Sequence, residues 1–94
     1  MTGHVFHPGH QALHGVTVVL ETHGGRTYVG RFDSQDERGV HLHDVGVHDA
    51  ATATTPQQEF LRRCARFGIP LQHRELLVPT DEVVRVQKLV DAVR

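Results

Sequence analysis

Nine of the 94 residues are histidine, a density that raises metal binding before anything else. His41 and His43 stand two apart in the run Gly39-Val40-His41-Leu42-His43, and residues two apart in a strand share a face. If Val40 and Leu42 fill a core, both imidazoles point away from it. His48 and His73 sit on chain that leaves and re-enters the same region. Neutral imidazoles suit zinc, copper or nickel, so His41, His43 and His73 form a candidate zinc site. The plainer reading is a set of ordinary surface histidines, because no cysteine pair and no helical HExxH accompanies them. His4, His7, His10 and His14 lie near the start of the chain, where adventitious metal binding is expected.

Arginines form the second group. Arg62, Arg63 and Arg66 fall off the apolar stripe of an expected helix. Repeated around an oligomer, they would make a basic rim suited to phosphates; alone, they read as a solvated helix face. Arg38, beside Gly39 in a polar turn, is the best single candidate for a nucleic-acid contact. Cys64 lies on the apolar stripe and reads as core, not as a reactive thiol. The sequence holds no nucleophile with a spaced base, no phosphate-binding loop and no framed carboxylate pair, which points away from an enzyme.

The elements that position these residues are mainly strands. Val16, Val18 and Leu20 alternate with Thr17, Val19 and Glu21, the period of a two-faced strand. Gly24-Gly25 suits a hairpin turn, and the chain returns as RTYVGRF with Tyr28, Gly30 and Phe32 on one face. A mid-strand glycine weakens a strand unless a bend or a close backbone approach requires it. A polar turn over 33–39 leads into a third strand, which is expected to end near Val45. Residues 47–70 read as an insertion. Within it, Thr55 and Gln58 form a capping-box pattern, and Phe60, Leu61, Cys64 and Phe67 make the apolar stripe of a helix over 56–67. Gly68 and Pro70 stop it. Strands over 71–78 and 83–88 follow, and the tail LVDAVR reads either as strand extension or as a short helical turn. Pro8 to Gly15 suits a short N-terminal helix.

Composition bounds the rest. Ninety-four residues make one domain with a modest core. Fourteen valines against one isoleucine favour strands. A net charge of −1 gives no global basic field. One cysteine excludes an internal disulfide and fits a reducing compartment. With no membrane-length apolar run, a soluble cytoplasmic protein is the expectation.

Together these residues resemble the Sm/LSm-like family. The first motif is carried by Val18, Leu20, Gly25, Gly30, Phe32 and Asp36, followed by Val40, Leu42 and Asp44; the second resembles Val78 to Val86. The resemblance covers the chain outside 47–70. It implies a mainly β, SH3-like bent barrel of five strands with a short N-terminal helix. Here a single domain over 1–94 would also carry an inserted helix between strands three and four. It further implies that edge strands four and five join copies into a hexameric or heptameric ring that binds single-stranded RNA at its pore. Asp36, Arg38 and Gly39 would lie in the base-contacting loop. Gly39 stands where the family usually has Asn, and Pro79-Thr80 where it has Arg-Gly. Asn reads base edges and Arg stacks on or pairs with bases, so any RNA binding here is expected to rest on phosphates, through Arg38, Arg62, Arg63 and Arg66. The alternative is an Sm-fold oligomer that serves as a protein- or metal-binding structural module.

Overall fold

The computed structural model describes residues 13–94; the short helix expected over 8–15 falls largely outside the described residues. Five antiparallel strands follow one another: β1 (Thr17–Thr22), β2 (Arg26–Asp36), β3 (Gly39–Asp49), β4 (His73–Pro79) and β5 (Val83–Lys88). Helix α1 (Gln57–Phe67) lies between β3 and β4, and a single helical turn, α2 (Leu89–Ala92), follows β5. The order across the sheet is β4-β3-β2-β1-β5, so β4 and β5 are the two edges.

Alternation along the strands builds two cores on opposite faces of one sheet. Val18 and Leu20 of β1, Tyr28 and Phe32 of β2, Val40, Leu42 and Val45 of β3 and Val78 of β4 pack together, with Val83 and Val86 of β5 against them. Residues from all five strands meet because the sheet bends around this cluster. Gly30 is one reason that it can. A Cβ there would meet the His43 carbonyl oxygen and the Val45 side chain at 3.0 Å each, so β3 crosses β2 where only glycine fits without adjustment.

The bend also rests on two bulges that the sequence hides. Val29 pairs with Gly46 but Arg31 pairs with His43, which leaves an extra residue in β3 beside Gly30; Asp44, with φ of +52°, marks the place. Phe32 pairs with Leu42 but Ser34 with His41, which leaves Asp33 extra in β2. A bulge shifts the alternation by one residue and increases local twist. The expected end of β3 near Val45 is therefore corrected: past Asp44 the strand resumes and runs to Asp49, so the inserted segment starts later than 47. The turn expected over 33–39 shrinks to Glu37-Arg38, because β2 runs through its own bulge to Asp36.

The second core lies on the outer face. Val19 and Val29 pack with Leu61 and Cys64 of α1 and Leu89 of α2, and Phe60, Ile69, Ala92 and Val93 pack around them. β1 and β2 are thus covered on both sides. Three polar contacts fix α1. Gln57 Nε2 donates to Thr27 Oγ1, Gln58 Nε2 donates to the Ala92 carbonyl, and buried His48 places Nε2 at 2.7 Å from the Thr55 carbonyl with its ring against Phe60. The expected capping box does not form. Pro56 occupies the cap position with no side-chain cap bond, because Gln58 is turned toward α2.

A second correction concerns Phe67, which is 76% exposed. Past Cys64 the helix borders an open groove, lined by Val16, Thr17, Ala65, Gly68 and Leu89, instead of packed sheet. No helix among the described residues is long and apolar enough to cross a membrane.

Candidate nucleic-acid interface

The β2–β3 turn is closed by its own charges. The Asp36 carboxylate accepts from the Arg38 backbone amide at 2.9 Å and from Arg38 Nη2 at 3.2 Å, and His41 Nε2 lies 3.1 Å from it. The Arg38 side chain, then its amide, then His41 hold the Asp36 carboxyl well below the usual carboxylate range. The Arg38 guanidinium is therefore already paired within the turn, although most of its surface is open.

Gly39 follows, with φ of +155°, and β4 lies directly against it. A Cβ on Gly39 would sit 2.0 Å from the Val78 carbonyl oxygen. No side chain of any kind fits at this position with this backbone, so a base-reading amide is excluded by packing. The neighbouring β4–β5 connection is a 3-10 turn, Thr80–Glu82. It is tied to the first turn: the Thr80 amide donates to the Arg38 carbonyl at 3.1 Å, and Thr80 Oγ1 reaches the Glu37 carbonyl at 3.5 Å. The two turns thus form one rigid end of the sheet. The two turns carry Asp36, Glu37, Asp81 and Glu82 against Arg38, with His41 beside Asp36.

The remaining basic candidates stand elsewhere. Arg62, Arg63 and Arg66 are all exposed on α1. Arg63 pairs with Glu59 one turn earlier at 3.0 Å, and the Arg66 guanidinium lies 5.3 Å from the Phe67 ring centroid, a cation–π distance. Leu61 and Cys64 anchor the other side of the helix, and burial pushes the Cys64 thiol up from its ordinary value.

The histidines part company. His41 faces Asp36, and His43 Nε2 lies 3.3 Å from Asp33 Oδ1. His73 is exposed at the start of β4 across from Val45, on the far side of the Asp44 bulge. Among the described residues no group of three or more His, Cys, Asp or Glu is placed to hold a metal ion. His41 and His43 line one pocket with Asp33 and Glu75, and His73 stands outside it. The bulges give each β3 histidine its own aspartate on β2 and leave His73 outside.

Asp33 is the residue that sequence reasoning passed over. Its carbonyl lies 2.7 Å from His14 Nδ1, and Ser34 together with His43 and His14 holds its carboxyl below the usual range. Its place directly after buried Phe32 is the only signal of this role.

With this geometry in view, comparison with known proteins is informative at the level of fold. No protein-family model matches the sequence, and no curated protein matches it. Among solved structures, an Sm protein of Pyrococcus abyssii, in complex with a uridine heptamer, superposes with a TM-score of 0.60. The match covers 88% of this chain and 99% of that one at 13% sequence identity. The fold is Sm-like. The Sm-like part includes the five strands in their antiparallel order, as the sequence motifs implied.

Proposed function

We propose that this chain joins edge to edge through β4 and β5 into a ring and binds single-stranded RNA through backbone phosphates, with Arg62, Arg63 and Arg66 as the main contact surface. The role is one of binding, not catalysis. The observation that carries the reading is the contrast between two surfaces of one Sm-like fold. The turn that would read bases is closed by the Asp36–Arg38 pair and by the excluded side chain at Gly39. The α1 face instead presents three exposed arginines on a helix fixed to the sheet, Arg63 paired with Glu59 and Arg62 and Arg66 beside it. An uncovered sheet edge is a template for another strand, and head-to-tail pairing of two unlike edges closes into a ring when the rotation allows. The complex of the structurally similar Sm protein with a uridine heptamer makes single-stranded RNA the ligand to test first.

A second reading is favoured by the turn itself. The two linked turns carry Asp36, Glu37, Asp81 and Glu82; such an acidic excess repels phosphate, and repeated around a ring it suits a basic protein segment.

Fluorescence anisotropy with uridine-only and adenine-only oligomers separates the two. Phosphate binding predicts equal affinity for both and a fall of roughly 0.7 log units per log unit of salt for each phosphate contacted. It also predicts a loss of about tenfold or more when all three arginines become alanine. A uridine preference that survives high salt contradicts the phosphate mode. No binding to either oligomer at low salt gives the case to the protein-binding module.

A further inference from the structure

The inserted segment does more than carry arginines. Together with the strands it leaves and rejoins, it encloses a cavity of about 600 Å³. The walls come from the start of β2, the end of β3, the turn that follows, the first half of α1 and the chain entering β4. This volume falls in the range of small-ligand clefts, roughly 300–1,000 Å³.

The walls have a defined chemistry. Four of the lining residues carry rings: Tyr28, His48, Phe60 and His73. Buried His48 donates from Nε2 to the Thr55 carbonyl at 2.7 Å, and its ring stands 5.5 Å from that of Phe60, so this wall is built before any ligand arrives. Phe60 is half-buried and His73 exposed, so both have ring surface to offer. Arg26 and Asp49 are the formally charged residues of the lining, and they pair with each other at 3.3 Å, with Tyr28 hydrogen-bonded to Arg26. Gln72 Oε1 accepts from the Val47 amide at 2.7 Å, which fixes the side chain and leaves Nε2 as a donor. A cavity whose charges cancel does not select a phosphate or a cation. Rings and a fixed amide donor suit a flat, uncharged heterocycle with hydrogen-bonding edges, and an unstacked nucleobase is such a group.

Its position supplies the strand that would carry the base. Phe60 and Arg63 are three apart on α1 and therefore neighbours on the helix surface, and Arg66 continues that row by one turn. The cavity thus borders the flank of α1 where the arginine face begins. A strand whose phosphates follow Arg63 and Arg66 runs past it.

We infer that the cavity walled by Phe60 and His73 receives one base of a single strand, by stacking, while the α1 arginines hold the phosphates. This rests on the reading that those arginines bind RNA, and it gives the inserted segment a second part in that binding. Stacking on aromatic rings accepts any base, so it agrees with equal affinity for uridine and adenine.

An abasic oligomer of matched length keeps the phosphates and lacks the bases, and so separates the two contacts. In fluorescence anisotropy at low salt, the wild-type protein is expected to bind the uridine oligomer about tenfold more tightly than the abasic one. Phe60→Leu keeps apolar bulk on the helix and removes the ring, and it should bring the two affinities within about twofold. His73→Ala, at an exposed position, should act in the same direction, whereas the triple arginine variant should weaken both oligomers alike. Circular dichroism checks that each variant is folded; if Phe60→Leu is not, His73→Ala carries the comparison. Tyr28 is the one tyrosine of a chain without tryptophan, so its emission reports on this cavity. Saturation with unlabelled uridine oligomer should change that emission, and the abasic oligomer should not. Equal affinity of the wild type for the two oligomers overturns the inference and leaves the phosphate reading standing. A preference for the uridine oligomer that survives both ring substitutions, with Tyr28 emission unchanged, places the base elsewhere and overturns the inference too. No binding of either oligomer overturns both the inference and the reading beneath it.

Discussion

Gly39 and the carbonyl oxygen of Val78 are so close that a Cβ on the glycine would lie 2.0 Å from that oxygen. β4 rests on the start of β3 at this point, and the two turns that end the sheet are held together by it. Gly39→Ala must move the β4 backbone and also occupy a φ of +155°. Overpacking and a disfavoured backbone region each cost on the order of 1–3 kcal/mol. Urea denaturation should therefore show a loss of at least about 2 kcal/mol. Gly24→Ala is the control, since nothing lies within 4 Å of a Cβ there, and it should stay within about 0.5 kcal/mol.

The two ends of the α1 stripe should answer differently to truncation. Leu61 is 3% exposed in the outer core, so Leu61→Ala should cost about 2–5 kcal/mol. Phe67→Ala should change the unfolding free energy of an isolated subunit by less than about 0.5 kcal/mol. Equal losses from the two would show that Phe67 is packed within its own subunit.

These two cases mark what the sequence discloses. The strands were legible where alternation was unbroken: Val18 and Leu20, Tyr28 and Phe32, Val40 and Leu42 all reach the inner core as their spacing implies. Gly30 was legible as a close approach because a mid-strand glycine needs a reason. The continuation of β3 past Asp44 was not, because a bulge resets the alternation without leaving a sequence mark. Phe67 follows the helical period as well as Cys64 does, yet it is exposed where Cys64 is buried, a difference set by tertiary packing that the period does not carry. The candidate site was half legible. Asp36, Arg38 and Gly39 do lie together in one turn, but the pairing that closes it and the Thr80 link to Arg38 are matters of tertiary contact.

Acid should loosen the turn in a defined window. The Asp36 carboxyl is held below its ordinary value in the folded protein, so its contribution is fully present above the unfolded value of about 3.9. It is lost as pH falls through the lower folded value. Asp36→Asn removes this titration. Between about pH 5 and pH 2 the melting temperature of the variant should fall less than that of the wild type. Parallel curves would show that Asp36 is not tied as described.

Zinc provides an independent check on the histidines. With His41 facing Asp36, His43 facing Asp33 and His73 apart, the double change His41→Ala, His43→Ala should leave zinc stoichiometry in equilibrium dialysis unchanged. A loss of one zinc per chain would mean that the three histidines converge.

The most direct test of the account is the mass of the native wild-type protein at micromolar concentration, measured under conditions that preserve assemblies. Edge-to-edge joining of β4 and β5 predicts one closed species, of six or seven copies by resemblance to Sm rings, each of 10.5 kDa. It also predicts that Leu77→Asp, on the β4 edge, abolishes that species while leaving a folded subunit. A wild-type protein that remains at 10.5 kDa across the concentration range would contradict the account.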